Sequence, residues 1–115
     1  MDNKKIDIHL TVEVKDDVVL AHLHFTNVST EQIHLDTWAI FADKRIRNDY
    51  FKIFNEKNKI VDYTGMMVKR MFRPEDYMVF NFGDKIDTSI EIHSVYELLK
   101  GKKYIINYSP IILPL

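Results

Sequence analysis

Residues 6–25 read IDIHLTVEVKDDVVLAHLHF, and the fold class rests on how that stretch pairs with itself. Apolar Ile6, Ile8, Leu10, Val12 and Val14 alternate strictly with Asp7, His9, Thr11 and Glu13. A period of two sends successive side chains to opposite faces, the pattern of a half-buried strand. After Lys15-Asp16-Asp17 the alternation resumes, with Val19, Ala21, Leu23 and Phe25 on one face. If Asp16 and Asp17 form a two-residue loop, Val14 faces Val19, Val12 faces Ala21 and Leu10 faces Leu23. Apolar then meets apolar at each step, so pattern and loop length specify the same register. That register sets His9 opposite His24 on the outward face, with His22 two residues away.

The chain beyond continues in short strands. IHLDTWAIF (33–41) reads as a third strand with a bulge near Thr37 and Trp38. YFKIF (50–54) and IVDY (60–63), on either side of the turn NEKNK, read as a second hairpin. YMVFNF (77–82) precedes the turn GDK, after which Ile86, Thr88, Ile90 and Ile92 alternate with Asp87, Ser89 and Glu91. SVYELLKG (94–101) suits one helical turn, and KYIINYS (103–109) is the last clear strand. Seven or eight short strands at turn spacings of about 8–12 residues, with no long helical window, predict an all-β fold. We assign an immunoglobulin-like antiparallel β-sandwich of about 7–8 strands, one domain over residues 1–115. A chain of 115 residues with 46% hydrophobic content suits a single core. The apolar ending PIILPL (110–115) reads as a final edge segment on the sandwich or a contact surface.

Sixteen basic residues against 17 acidic ones leave a formal charge of −1, so no strong field favours nucleic acid or an anionic membrane. The start MDNKKIDIHL has no apolar h-region, and no apolar run approaches the roughly 20 residues that span a bilayer. The expectation is a cytoplasmic protein. There is no cysteine, which excludes disulfides and thiolate chemistry. No glycine-rich phosphate loop, Gly-x-Ser-x-Gly elbow or Cys-His pair occurs. Asp16-Asp17 and Glu75-Asp76 are adjacent in sequence and do not read as acid/base pairs.

Three stretches occur in one order: FTNVSTEQIHLDTW (25–38), YFKIFNEKNKIVDYTGMMVKRMFRPEDYMVF (50–80) and GDKIDTSIEIHSVYELLKGKKYIINYS (83–109). Their most specific pieces are Tyr63-Thr64-Gly65, Val68-Lys69-Arg70, Pro74-Glu75-Asp76-Tyr77, and Tyr96-x-Leu98 leading through Gly101 to Tyr104. Together they resemble the β-sandwich domain that precedes the catalytic domain in deuterolysin-type (aspzincin) metalloendopeptidases, a group that includes peptidyl-lysine-specific enzymes. In that family the domain belongs to the precursor and is thought to assist folding or keep the enzyme latent. The peptidase's own His-Glu-x-x-His zinc motif is absent here. The resemblance therefore implies an accessory domain standing alone, without enzymatic activity or cofactor, suited to inhibiting a metallopeptidase or conferring immunity to one. A folding assistant or assembly subunit is the alternative it leaves open.

The candidate partner-binding residues are Met66, Met67, Lys69, Arg70 and Arg73, in the loop at 63–77. Lys69 and Arg70 project towards a partner in this reading, Lys69 imitating the lysine such peptidases prefer. In the structural reading Gly65 supplies a positive-φ turn and the cations pair with Glu75 and Asp76 at the surface. His9, His22 and His24, sharing one face, are a weak metal candidate. Tyr96 and Tyr104 read as structural, and Trp38 as core. The expected partner is a protein, with the chain itself a monomer or weak dimer.

Overall fold

Lys15 and Val18 close the first hairpin around Asp16 and Asp17, and the ladder runs unbroken back to Ile6 opposite Asn27. Val14 pairs with Val19, Val12 with Ala21, Leu10 with Leu23 and His9 with His24, the register that the alternation predicts. Asp16 takes φ 55°, a left-handed conformation that a short polar side chain tolerates. These strands are β1 (Ile6–Lys15) and β2 (Val18–Asn27) of a computed structural model that describes residues 5–71 and 73–109. The apolar ending at 110–115 and Phe72 lie outside the described residues.

The other strands are β3 (Ile33–Asp36), β4 (Phe51–Phe54), β5 (Tyr77–Phe80), β6 (Lys85–Glu91) and β7 (Ile105–Tyr108). A single 3-10 turn, Pro74–Asp76, leads into β5. Among the described residues the strands form three antiparallel sheets, ordered β1-β2-β6, β3-β5 and β4-β7, and no α-helix is present. The protein is all-β. One core joins the sheets: Ala21, Leu23 and Phe25 of β2, Leu35 of β3, Phe51 and Ile53 of β4, Phe80 of β5 and Ile90 of β6 are all buried in it. Phe25 meets Tyr108 edge-on at 5.8 Å between ring centroids, which ties β2 to β7.

Three expectations from the alternation are corrected. The segment 33–41 is not one bulged strand. β3 stops at Asp36, whose carboxylate accepts the Trp38 N–H at 3.0 Å and so turns the chain. Residues 37–43 are turns that fold Ala39, Ile40 and Phe41 into the core. The proposed 50–63 hairpin is reduced to one bridge, Phe54 with Ile60, flanked by an Asn55 N–H to Lys59 carbonyl bond and a Val61 N–H to Ile53 carbonyl bond, both of 2.8 Å. β4 instead pairs with β7, because the chain after Ile60 leaves towards Tyr96. Finally, the apolar face of β1 is only partly covered. Val12 is 39% exposed and Val14 70%, since the hairpin tip extends past the core that buries Ala21 and only partly covers Val19. The single turn expected in 94–101 lies a little earlier, where the Tyr96 N–H reaches the Ile92 carbonyl at 3.0 Å.

Asn27 is the one fully buried polar side chain among the described residues. Its amide donates to the Phe80 and Glu31 carbonyls, at 2.7 and 2.9 Å. Its oxygen accepts from the Ser29 N–H and hydroxyl, both at 2.9 Å. All four of its side-chain hydrogen-bonding positions are filled, which removes the penalty for burying the group. Asn27 is thus a structural joint between β2 and β5.

Candidate functional site

The connection from Ile60 to Tyr77 has almost no ladder of its own, so its shape depends on contacts with distant residues. At its start Tyr63 bridges to Tyr96, and their rings lie 5.5 Å apart. The Thr64 N–H and hydroxyl both donate to the Val95 carbonyl, at 2.8 and 3.0 Å. The Tyr63 hydroxyl then donates to the Met66 carbonyl and closes a tight bend. Gly65 sits inside that bend, and its role differs from the expected one. Its φ is not in the left-handed region, so conformational freedom is not what requires glycine. Space is: a Cβ there would lie 2.6 Å from both the Tyr63 hydroxyl and Val95 Cγ1.

Further along, the Val68 N–H donates to the Arg47 carbonyl at 2.9 Å. Arg70 then turns inward. Its guanidinium grips Asp36 with two parallel bonds of 2.5 and 2.7 Å and lies 4.0 Å from the Asp76 carboxylate. It also stacks 4.2 Å above the Trp38 ring and 5.4 Å from the Tyr77 ring. The Arg70 side chain is only 12% exposed and that of Asp36 16%. The bond to Asp36 holds the Arg70 guanidinium above even its usual pKa. A planar fork that is both bidentate and stacked is a use of arginine that lysine cannot fill. The expectation that Arg70 projects towards a partner is therefore corrected. It is the strut beneath the loop, and its main carboxylate is Asp36 of β3, with Asp76 secondary and Glu75 not involved.

Trp38 is also placed differently from the expected core position. It is half-buried, with Arg47 at 4.8 Å as a second cation against its ring. Arg47 is itself held by the Asp43 carboxylate at 3.0 Å, a bond that lowers the Asp43 pKa.

With Arg70 tied down, Met66, Met67, Lys69, Met71 and Arg73 are among the exposed residues of the loop. The three methionines are 59%, 69% and 76% exposed. Soft, unbranched side chains at such exposure adapt to many partner shapes, and here they surround one lysine. Met71 was not among the sequence candidates. Its position two residues beyond Lys69, on the same extended segment, was the available signal. Behind the loop lies a mainly apolar cavity of about 150 Å³, lined in part by Trp38, Val68, Arg70, Tyr50 and Tyr108.

The histidines do share one face of the β1-β2-β6 sheet, but each is matched to its own carboxylate. His9 bonds Asp7 at 2.9 Å, His22 bonds Glu13 at 2.9 Å and the Ser89 hydroxyl at 2.6 Å, and His24 bonds Asp87 at 2.5 Å. Among the described residues no three His, Asp or Glu side chains are grouped to hold a metal ion. The tyrosines serve the framework. Tyr96 donates its hydroxyl to Asp49 and accepts from the Phe51 N–H at 3.2 Å, and the Tyr104 hydroxyl accepts from the Leu99 N–H at 2.8 Å.

No protein-family model matches this chain, and no curated protein does either.

Proposed function

We propose that the protein is a non-enzymatic protein-binding module, an inhibitor or immunity-type protein directed at a metallopeptidase, with the loop at 63–73 as its binding element. One observation carries this reading: the loop is fastened through Thr64 to Val95 and through Arg70 to Asp36, with Met66, Met67 and Lys69 exposed between the fastenings and Met71 just beyond them. A braced loop loses little ordering entropy on binding, so its contacts translate into affinity. The sequence resemblance to the aspzincin pro-domain supplies the partner class, and Lys69 is the side chain to enter a lysine-preferring cleft. The proposal includes an immunoglobulin-like sandwich as the scaffold, supported by the shared core between sheets and by Tyr96 tying the 92–96 turn to β4. It also includes a cytoplasmic location and no need of a cofactor.

The test is calorimetric binding to a lysine-specific deuterolysin-type peptidase, with Lys69→Ala and Lys69→Glu beside the parent chain. Loss of about thirtyfold in affinity, with melting temperature unchanged, is the expected result. Absence of binding by the parent, or equal binding by all three, refutes the inhibitor reading. A second reading, an accessory or assembly subunit, draws support from the long edge of β1, which no strand pairs among the described residues. Recovery of a multiprotein assembly from the native host, with no peptidase in it, would favour that reading.

A further inference from the structure

The three-stranded sheet ends at β1, and among the described residues no strand pairs with its outer side. The Val28 N–H donates to the Lys5 carbonyl at 3.0 Å, which places residue 5 in a hydrogen-bonded pair with the β2 side. Antiparallel pairing alternates, so the odd residues of β1 spend their backbone groups on β2. The N–H and C=O of Ile6, Ile8, Leu10, Val12 and Val14 then point to the open edge. Natural sheets protect such an edge with proline, a bulge, a very short strand or charged side chains, and of these β1 has only charges, of both signs, at Asp7, Glu13 and Lys15. β1 has ten residues, no proline and an unbroken ladder, and the apolar side chains near its tip are exposed.

We propose that two copies of this chain associate edge to edge through β1, antiparallel, about a two-fold axis at Thr11, giving a continuous six-stranded sheet. The charge pattern selects both the occupant and the register. With Thr11 facing Thr11 of the second copy, Asp7 meets Lys15 and His9 meets Glu13, each twice by symmetry. On the other face Leu10 meets Val12 and Ile8 meets Val14, so exposed apolar surface is covered by its own kind. Ile6 falls opposite the turn at Asp16, where the ladder ends. Sliding by two residues in one direction sets Lys5 against Lys15 and Asp7 against Glu13; in the other it loses both charge pairs, setting His9 against Lys15 and Thr11 against Glu13. Sliding by one residue puts the apolar row against the polar row. A strand that is complementary to its own reverse in one register fits a second copy of itself. This association does not depend on the function proposed for the 63–73 loop.

Sedimentation of the full chain between about 1 μM and about 1 mM should show a reversible monomer–dimer equilibrium. Lys15→Glu sets like charges against Asp7 twice per dimer and should weaken it about tenfold, and adding Asp7→Lys to that variant should restore it. Val12→Pro removes an N–H that faces the open edge. It should abolish the dimer while the monomer melts within a few degrees of the parent, which separates lost association from lost folding. Thr11→Cys, the only thiol in such a variant, should oxidise to a covalent dimer because facing residues at a non-hydrogen-bonded pair approach to about 4.5 Å between Cα atoms. His9→Cys should not. A parent that remains monomeric throughout, whatever else then covers the edge, overturns the proposal. So does a dimer indifferent to Lys15→Glu, or one in which Asp7→Lys fails to rescue.

Discussion

The β1–β2 hairpin and the connection from Ile60 to Tyr77 are both rich in charge, and they use it in opposite ways. In the hairpin the backbone ladder holds the shape, and the charged residues sit outward in pairs that water largely screens. In the connection the ladder is nearly absent, and the shape depends on side chains reaching distant partners: Arg70 to Asp36, Thr64 to Val95, Tyr63 against Tyr96. The same residue types are therefore replaceable in one region and structural in the other. Exposure decides between the two roles. The Arg70–Asp36 pair is mostly out of solvent, whereas the His24–Asp87 pair has half of the imidazole and three quarters of the carboxylate in it.

The sharpest way to break this contrast is to remove the basic partner of one pair from each region. Arg70→Ala strands Asp36 in a mostly covered site and should cost about 3 kcal/mol in urea unfolding, with Arg70→Lys recovering only part. His24→Ala should cost less than about 1 kcal/mol. Equal losses would mean that burial does not separate the two kinds of pair. A second comparison sets two glycines against each other. Gly65→Ala must push Tyr63 or Val95 aside and should cost about 2 kcal/mol by overpacking. Gly83→Ala meets no neighbour but must hold φ +82°, for about 1 kcal/mol. Reversal of that order would show that the bend at 63–66 relaxes easily.

Alkaline pH tests the anchor of the connection. Tyr96 is 1% exposed, and burial, then its hydrogen bond to Asp49, push its phenol pKa up from 10.0. The folded state thus holds this proton more tightly than the unfolded chain. Its contribution is complete below pH 10 and declines as pH rises above it, by about 1.4 kcal/mol per pH unit. Tyr108, also raised by burial, acts in the same direction. Tyr96→Phe should cost about 1.5 kcal/mol at neutral pH, through the abandoned Phe51 N–H, and should flatten the alkaline slope. A parent as stable at pH 11 as at pH 9 would contradict the buried phenols. The smallest effect belongs to Lys69→Ala, expected within about 0.5 kcal/mol of the parent in thermal and urea unfolding. A larger loss would make Lys69 part of the framework that Arg70 supplies.

This contrast also marks what the sequence made legible. β1, β2 and β6 repeat apolar and polar residues with period two, and a two-residue loop leaves β1 and β2 a single register, so their alternation predicted true strands. The end of β3 was not legible in the same way. Asp36 continues the pattern of its strand, but its carboxylate is engaged by Trp38 two residues on and by Arg70 in a segment 34 residues later. No periodic signal records a partner at that distance. The same limit hid the pairing of β4 with β7, since Phe51 and Ile53 alternate equally well against Ile60 or Ile106. At the candidate site, Lys69 and the paired methionines were readable as an exposed group. The inward turn of Arg70 was not, because adjacent Lys and Arg look alike until an aromatic ring and a carboxylate are known to lie under one of them.

The methionines around Lys69 have a consequence of their own. The chain has no thiol, and of its five methionines three stand exposed in this loop. Oxidants that reach this loop therefore act on thioethers. Conversion of Met66, Met67 and Met71 to sulfoxides would replace a soft apolar rim by polar, chiral groups and leave the core untouched, and reductases specific for methionine sulfoxide would reverse it. Peroxide treatment followed by peptide mass mapping would register that chemistry as increments of one oxygen at each of these positions, in a protein whose unfolding curve has not moved.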